Sequence, residues 1–193
     1  MTPWASMFGT EYALRNGADP LGDAEFFRTA LFHLLINSVE VKRTLEFGAS
    51  TGRNLLALGN ILNCALEAVE INPVACQELR KHGIITHERD FLGPAGYSAD
   101  LVVSKGLLIH VDPSDLDRAY KVLYSATTKY LLIAEYFSPT PVKISYRDNV
   151  GMWKRDFAGE ILDRYDMKVL DYGFSWSRDV YPQDDVTWFL LER

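Results

Sequence analysis

The stretch from Leu45 to Asn54, Leu-Glu-Phe-Gly-Ala-Ser-Thr-Gly-Arg-Asn, constrains the fold of this chain more than any other. A β-prone run (Val39, Val41, Leu45, Phe47) leads into it, and a helix-prone run from Asn54 to Asn60 leads out. Gly48 and Gly52 stand where a chain must turn sharply between strand and helix and let a ligand approach the backbone. A second apolar run, Ala65 to Val69, ends in Glu70. A glycine turn followed by a strand-terminal carboxylate is the layout of a Rossmann-type nucleoside site, in which the carboxylate accepts hydrogen bonds from ribose hydroxyls. The expectation is an adenosine-bearing cofactor held by Gly48, Ala49, Ser50, Gly52 and Asn54 of the loop and by Glu70 and Ile71. The plain alternative is a strand-to-helix turn with no ligand.

The loop narrows the choice of cofactor. A dinucleotide site wants G-x-G-x-x-G, because the middle glycine lets the pyrophosphate lie against the backbone. Here Ser50 replaces that glycine, and Glu46 adds a carboxylate beside the loop. An anion there repels a pyrophosphate but can hold a cationic amino group. S-adenosylmethionine (SAM) carries an ammonium, a sulfonium and a ribose, and no phosphate. The acidic-x-Gly-x-x-x-Gly pattern followed by Glu70 resembles motifs one and two of the class I SAM-dependent methyltransferases.

Strand-like and helix-like runs alternate along the chain, which predicts an α/β sandwich with a mostly parallel sheet. The pattern places a short helix over 8–16 closed by Gly17, a longer helix from Leu21 to Asn37, and a helix from Pro73 to Lys81. Ser114 is read as the cap of a helix running to Ala126, and a further helix is read over 154–164. Strands are expected up to Phe47, over 65–71, over 84–86, over 100–104 and over 130–137. Two last runs, 168–174 and 185–191, read as an antiparallel pair. The resulting fold class is a Rossmann-like class I methyltransferase sandwich: a seven-stranded, mostly parallel sheet with a C-terminal antiparallel hairpin. Such a hairpin suits a methyltransferase, whereas a dinucleotide fold continues in parallel units. One domain over 1–193 is expected, with a helical cap at 1–37 and an acceptor-side insert at 138–160. The later strand ends supply further cofactor contacts: Asp90 for an adenine amino group, Phe91 for the ring face, and Ser104, Lys105 and Gly106 for the methionine part.

Composition limits the partners. A net charge of −6 argues against a phosphate-tracking surface, so nucleic acid is not expected as substrate. No apolar run approaches a membrane span, and the first residues lack a signal-peptide pattern. Cys64 and Cys76 stand apart from any metal-ligand spacing and read as reduced thiols of a cytoplasmic protein. Asp184 and Asp185 lack a third ligand at a convincing spacing, so no metal is expected.

A connected series in the last third carries a closer resemblance: Ser138-Pro-Thr-Pro-Val142, Tyr146-Arg147, Lys154-Arg-Asp-Phe-Ala-Gly-Glu160, Asp171-Tyr-Gly-Phe174 and Pro182-Gln-Asp-Asp-Val-Thr-Trp-Phe189. With Phe8-Gly9 and Arg15-Asn16, these strings resemble the pseudaminic acid biosynthesis-associated methylases, small bacterial class I methyltransferases found beside nonulosonic-sugar pathways. The resemblance covers nearly the whole chain. It implies SAM as methyl donor and a glycan-related small-molecule acceptor, such as a sugar acid or nucleotide sugar. The segment 148–153 departs from that group's pattern, so the acceptor itself does not follow.

Methyl transfer from a sulfonium is an in-line displacement on an already activated donor, so much of the rate gain comes from holding the acceptor. A hydroxyl or ammonium acceptor also needs a base; a carboxylate needs only orientation. His110 is the candidate base, with a structural role in the loop as the alternative. Tyr146 and Arg147 are placed at the acceptor, with Lys154, Arg155 and Asp156 as further polar wall; Tyr12 and Arg15 are expected to close over the cofactor. The paired alternative is that Lys154 and Arg155 bond Asp156, Glu160 or solvent. A nicotinamide-dependent reductase, a small-acid (carboxylate or phosphonate) O-methyltransferase and a non-catalytic SAM-binding module remain open as functions, and monomer and dimer as states.

Overall fold

A computed structural model describes residues 3–15, 20–93, 96–146 and 151–193. The central strands follow from continuous apolar runs: β1 (Arg43–Phe47), β2 (Ala65–Glu70), β4 (Ala99–Lys105, numbered after β3, Ile85–Glu88) and β5 (Thr127–Glu135). Strands buried on both faces show such runs because helices cover the sheet on either side. Two further strands, β8 (Lys168–Ser175) and β9 (Val186–Glu192), complete a seven-stranded sheet of order β3-β2-β1-β4-β5-β9-β8. The first four pairings in that order are parallel, whereas β9 runs antiparallel to both β5 and β8. The expected closing hairpin is therefore present.

The helices are α1 (Met7–Arg15), α2 (Pro20–Ala30), α3 (Phe32–Ile36), α4 (Arg53–Gly59), α5 (Pro73–Lys81), α6 (Leu116–Ala126) and α7 (Phe157–Leu162). One sheet face packs Phe27, Leu34, Leu55, Leu58 and Leu79; the other packs Tyr120, Leu123, Phe157 and Ile161. Each of these side chains is essentially inaccessible, which contributes about 1.5–3 kcal/mol apiece in transfer free energy. The order of strands reverses between β1 and β4, and that switch point is where an open α/β sheet leaves a crevice beyond its strand ends.

Several sequence expectations need correction. The helix read from Leu21 to Asn37 is broken at Leu31, whose ψ of 13° departs from helix; the break keeps Leu31 and Leu34 in the core while Phe32 and Ile36 face outward. Asp112, rather than Ser114, starts the α6 region. Its carboxylate accepts from Ser114 N at 2.9 Å, and a short 3-10 turn, Pro113–Asp115, precedes the helix. The helix read over 154–164 begins only at Phe157. Lys154 instead belongs to a two-stranded ribbon, β6 (Val142–Ser145) with β7 (Gly151–Lys154), and Asp156 caps α7 by accepting from Gly159 N at 2.8 Å. Gly17, closing the first helix in the sequence reading, lies outside the described residues.

Candidate functional site

The β1–α4 loop is shaped by three consecutive demands on the backbone. Gly48 adopts φ 69° and Gly52 φ 87°; a Cβ at either would meet a leucine side-chain carbon, of Leu107 or Leu79, at 2.7 Å. Ser50 also sits at a positive φ, 48°, where a non-glycine residue is uncommon. Its N–H donates to Glu70 Oε2 at 2.8 Å, so the carboxylate of β2 holds the turn of β1.

Glu70 is nearly buried and lines the crevice. Its Oε1 accepts from Ile71 N at 2.8 Å and Asn72 N at 2.7 Å, and its Oε2 from Ser50 N. A carboxylate offers about four acceptor positions, two per oxygen, so Oε2 keeps one for a ligand hydroxyl. Burial raises the Glu70 pKa, and the three backbone bonds work against that rise.

The crevice is a cavity of about 770 Å³, within the range of ligand pockets and large enough for a cofactor together with a small acceptor. Gly48, Ala49, Ser50, Asn54, Glu70, Ile71, Asp90, Phe91, Lys105 and Gly106 line it, along with Tyr12, His110 and Tyr146. Most of the sequence-predicted site residues therefore meet in one place. Asp90 uses one oxygen to accept from Leu92 N at 2.9 Å.

Four predicted residues lie off the lining. Gly52 caps α4 from behind, against Leu79. Ser104 is fully buried and donates to Glu135 Oε1 at 2.9 Å. Arg15 is exposed, with its guanidinium 5.7 Å from the centre of the Tyr12 ring. Glu46 is fully buried, accepting from Asn54 Nδ2 at 2.6 Å, while its other oxygen has no hydrogen-bond partner among the described residues. Arg147, predicted at the acceptor, lies outside the described residues, as do Asn16 and the segment 148–150.

Burial pushes the Glu46 carboxyl up to about 8, against the opposing bond from Asn54 and the attraction of Lys105. A folded-state pKa raised above the unfolded value near 4.5 means the folded protein holds a proton the unfolded chain releases, so this group's contribution favours folding at low pH. Stability is lost as pH rises from about 4.5 through 8. Glu46→Gln, which keeps the carbonyl acceptor and cannot ionise, is expected to flatten that slope. Denaturant unfolding of both proteins at a series of pH values checks it, and parallel curves would refute the assignment.

Glu135, at the end of β5, is a cavity-lining residue that the sequence reading missed. It is fully buried and accepts from Ser104 Oγ, Leu107 N and Leu108 N at 2.9–3.0 Å and from Ile109 N at 3.4 Å. Its carboxylate thereby fixes the 105–110 loop that carries Lys105 and His110. Burial pushes its pKa up to about 7 against these donors. The available signal was an apolar strand ending in a carboxylate, the same pattern that identified Glu70.

On the acceptor side, the His110 ring lies between Trp4, at 4.7 Å between centroids, and Tyr146, at 5.3 Å. Burial pushes His110 down to about 4, against the opposing backbone hydrogen bond at Gly151, so it is neutral at pH 7; among the described residues its buried Nδ1 has no hydrogen-bond partner. The ribbon contributes Lys143, Met152 and Trp153 to the wall. Lys143 and Trp153 are cross-strand partners, with Lys143 Nζ 5.7 Å from the Trp153 ring. Of the polar groups expected here, Arg155 is bound to Glu160 at 2.8 Å, Asp156 caps α7, and Lys154 stands over the Tyr136 ring at 5.4 Å. Arg53, Gln183 and Asp184 also reach the cavity. Arg53 pairs with buried Asp23, which Gln183 Nε2 bonds at 3.2 Å. These cross-chain contacts carry no local sequence signal.

Among the described residues, no group of three or more His, Cys, Asp or Glu is arranged to hold a metal ion, and no helix is long and apolar enough to cross a membrane. The sequence matches no protein-family model, and a search of curated proteins finds no relative. Solved structures do match. Magnesium protoporphyrin IX methyltransferase from Synechocystis, with bound SAM, superposes with a TM-score of 0.68 at 13% identity, covering 99% of this chain and 93% of that one. The fold is that of the SAM-dependent methyltransferases. An N-methyltransferase from Bradyrhizobium japonicum, in complex with S-adenosylhomocysteine (SAH), gives a TM-score of 0.67 at 16% identity over 96% of each chain. A didemethyltoxoflavin N-methyltransferase from Burkholderia thailandensis gives 0.68 at 15% identity, over 100% of this chain and 92% of that one. At these identities the likeness concerns the fold.

Proposed function

We propose that this chain is a SAM-dependent methyltransferase acting on a small polar acceptor, with a glycan-related sugar acid or nucleotide sugar as the acceptor class. The observation that carries the donor assignment is Glu70. It holds the Ser50 turn with one oxygen and keeps one acceptor position for a ribose hydroxyl, beside a loop whose Ser50 leaves no glycine for a pyrophosphate. Asp90 and Phe91 would flank the adenine, and Lys105 and Gly106 the methionine part. Structural neighbours with SAM or SAH bound support the same donor.

The acceptor reading rests on the wall formed by Trp4, His110, Tyr146 and Trp153, with Lys143 at its rim. Flat rings accept the apolar face of a sugar, and the ammonium of Lys143 suits an anionic substituent. His110 favours the second reading, transfer to a carboxylate. A group held near 4 is a weak base for a hydroxyl, while a carboxylate acceptor needs none. In that reading the neutral His110 ring, between Trp4 and Tyr146, is part of the wall that orients the substrate.

The test is direct. SAH should raise the melting temperature and NAD should not; the reverse result would overturn the donor assignment. Labelled SAM, supplied with a panel of sugar acids, nucleotide sugars and small acids, should mark an acidic member. Tight SAH binding with no transfer to any of them would instead favour a binding module.

A further inference from the structure

The N-terminal segment is tied to the cofactor half of the cavity through one side chain. Asn72 is almost fully buried and uses every group it has. Its Oδ1 caps α5, accepting from Val74 N at 3.0 Å and Ala75 N at 3.2 Å. Its backbone N–H donates to Glu70 Oε1. The amide Nδ2 then reaches into the N-terminal segment, to Trp4 O at 3.1 Å and Thr10 Oγ1 at 3.2 Å, with Ser6 O at 3.5 Å. Helix capping alone needs only the oxygen, and asparagine, aspartate and serine serve it about equally. The nitrogen is therefore the specific requirement here.

What Asn72 holds is the residue that builds the far side of the cavity. The Trp4 ring packs against the His110 ring, tilted by 58° with centroids 4.7 Å apart, and lies edge-on to Phe8 and Tyr12 of α1. Gly9 makes the fit tight, because a Cβ there would stand 1.9 Å from the Trp4 carbonyl oxygen and 3.0 Å from Asn72 Nδ2. A chain of direct contacts thus runs from Glu70 through Asn72 and Trp4 to His110.

We propose that Asn72 is a positioning residue: it latches the segment Trp4–Ala13 onto the cofactor site and so couples occupancy at Glu70 to assembly of the acceptor wall by Trp4 and His110. This rests on the cofactor reading above. A cofactor hydroxyl on Glu70 steadies the carboxylate that Asn72 N–H binds, and the latched segment completes the wall that the acceptor meets. The donor then binds first, and acceptor affinity follows from it. Such coupling is reciprocal, so whatever SAH adds to the docking of the segment, the docked segment adds to SAH affinity.

Asn72→Ser keeps a capping oxygen but cannot reach Trp4. Gly9→Ala attacks the same contact from the other side, by displacing the Trp4 carbonyl, although alanine is locally the better helix former. Both variants are compared with the wild-type chain by amide hydrogen exchange over residues 4–13, with and without SAH, and by the NMR resonances of the His110 ring, which the Trp4 ring shifts. In the wild type, SAH should slow exchange in this segment by about tenfold. Both variants should exchange faster there even without ligand, move the His110 resonances, lose the SAH increment and bind SAH weaker by about that same factor. Unchanged His110 resonances and unchanged free-protein exchange in Asn72→Ser would overturn the latch. A latch that is lost without any change in SAH affinity would overturn the coupling. Failure of SAH to bind the wild type would overturn the coupling together with the cofactor reading, while exchange in the free protein still decides the latch.

Discussion

Glu70→Ala is expected to weaken SAH binding by about a hundredfold or more, equivalent to about 2.8 kcal/mol. The loss has two sources. The proposed ribose acceptor disappears, and hydrogen bonds to a charged group contribute about 1.5–3 kcal/mol each. In addition, the N–H groups of Ser50, Ile71 and Asn72 lose their shared acceptor, which frees the Ser50 turn from its positive φ. Leaving buried donors unpaired costs about 1–3 kcal/mol each, so the melting temperature should fall as well. Glu70→Gln should fall between the wild type and Glu70→Ala, because its single carbonyl oxygen can still accept from Ile71 N and Asn72 N while its NH2 group can accept neither from Ser50 N nor from a ligand hydroxyl. Titration calorimetry with SAH on the folded variants decides the point. Wild-type affinity in a folded Glu70→Ala protein would remove Glu70 from the cofactor site.

Glu135→Ala should produce the largest loss of stability of any single change in the site, about 3–5 kcal/mol, because several buried donors lose their shared acceptor at about 1–3 kcal/mol each. Three short hydrogen bonds and one longer one converge on this carboxylate, all from the chain between Ser104 and Ile109. For a chain of this size each kilocalorie shifts melting by about 2–4 °C, so a drop of about 10 °C or more is expected. The 105–110 loop should loosen with it, and turnover should fall because His110 and Lys105 lose their fixed position. Glu135→Gln retains one good acceptor and should cost less than half as much. Chemical denaturation of the three proteins is the check, and a loss below about 1 kcal/mol for the alanine variant would show that the loop is held by other means.

The residues that were legible in the sequence are those whose role is set within a few positions of the chain. Gly48 and Gly52 announce a turn because their φ angles are needed there whatever surrounds them. Glu70 closes an apolar run, and Asn72-Pro73 starts a helix by a local bond to the residues that follow. The mostly parallel sheet and the closing hairpin follow from the alternation of such runs, whereas the strand order does not. Arg155 bonds Glu160, as the paired alternative allowed, but the Tyr120 hydroxyl that also donates to Glu160 comes from α6 and carries no local signal. Lys154, the last residue of the ribbon, reads as the start of a helix for a related reason. Lys154 pairs opposite Val142 across a connection that no short window spans.

The sequence by itself determined an α/β sheet with a nucleoside-type loop, a carboxylate to face it and a hairpin to finish it, because strand, turn and cap preferences act through neighbouring backbone groups. Only the tertiary structure decided which carboxylates face the cavity and which lie behind it. Glu46, one residue before the end of β1, and Glu70, the last residue of the neighbouring parallel strand β2, carry the same carboxylate, yet Glu46 is sealed beneath Asn54 while Glu70 opens onto the cavity. It also decided that Trp4 reaches His110, a contact between residues far apart in the chain that depends on Asn72 holding the N-terminal segment in place. Burial and long-range hydrogen bonding select among residues of the same type, and neither exists until the chain has folded.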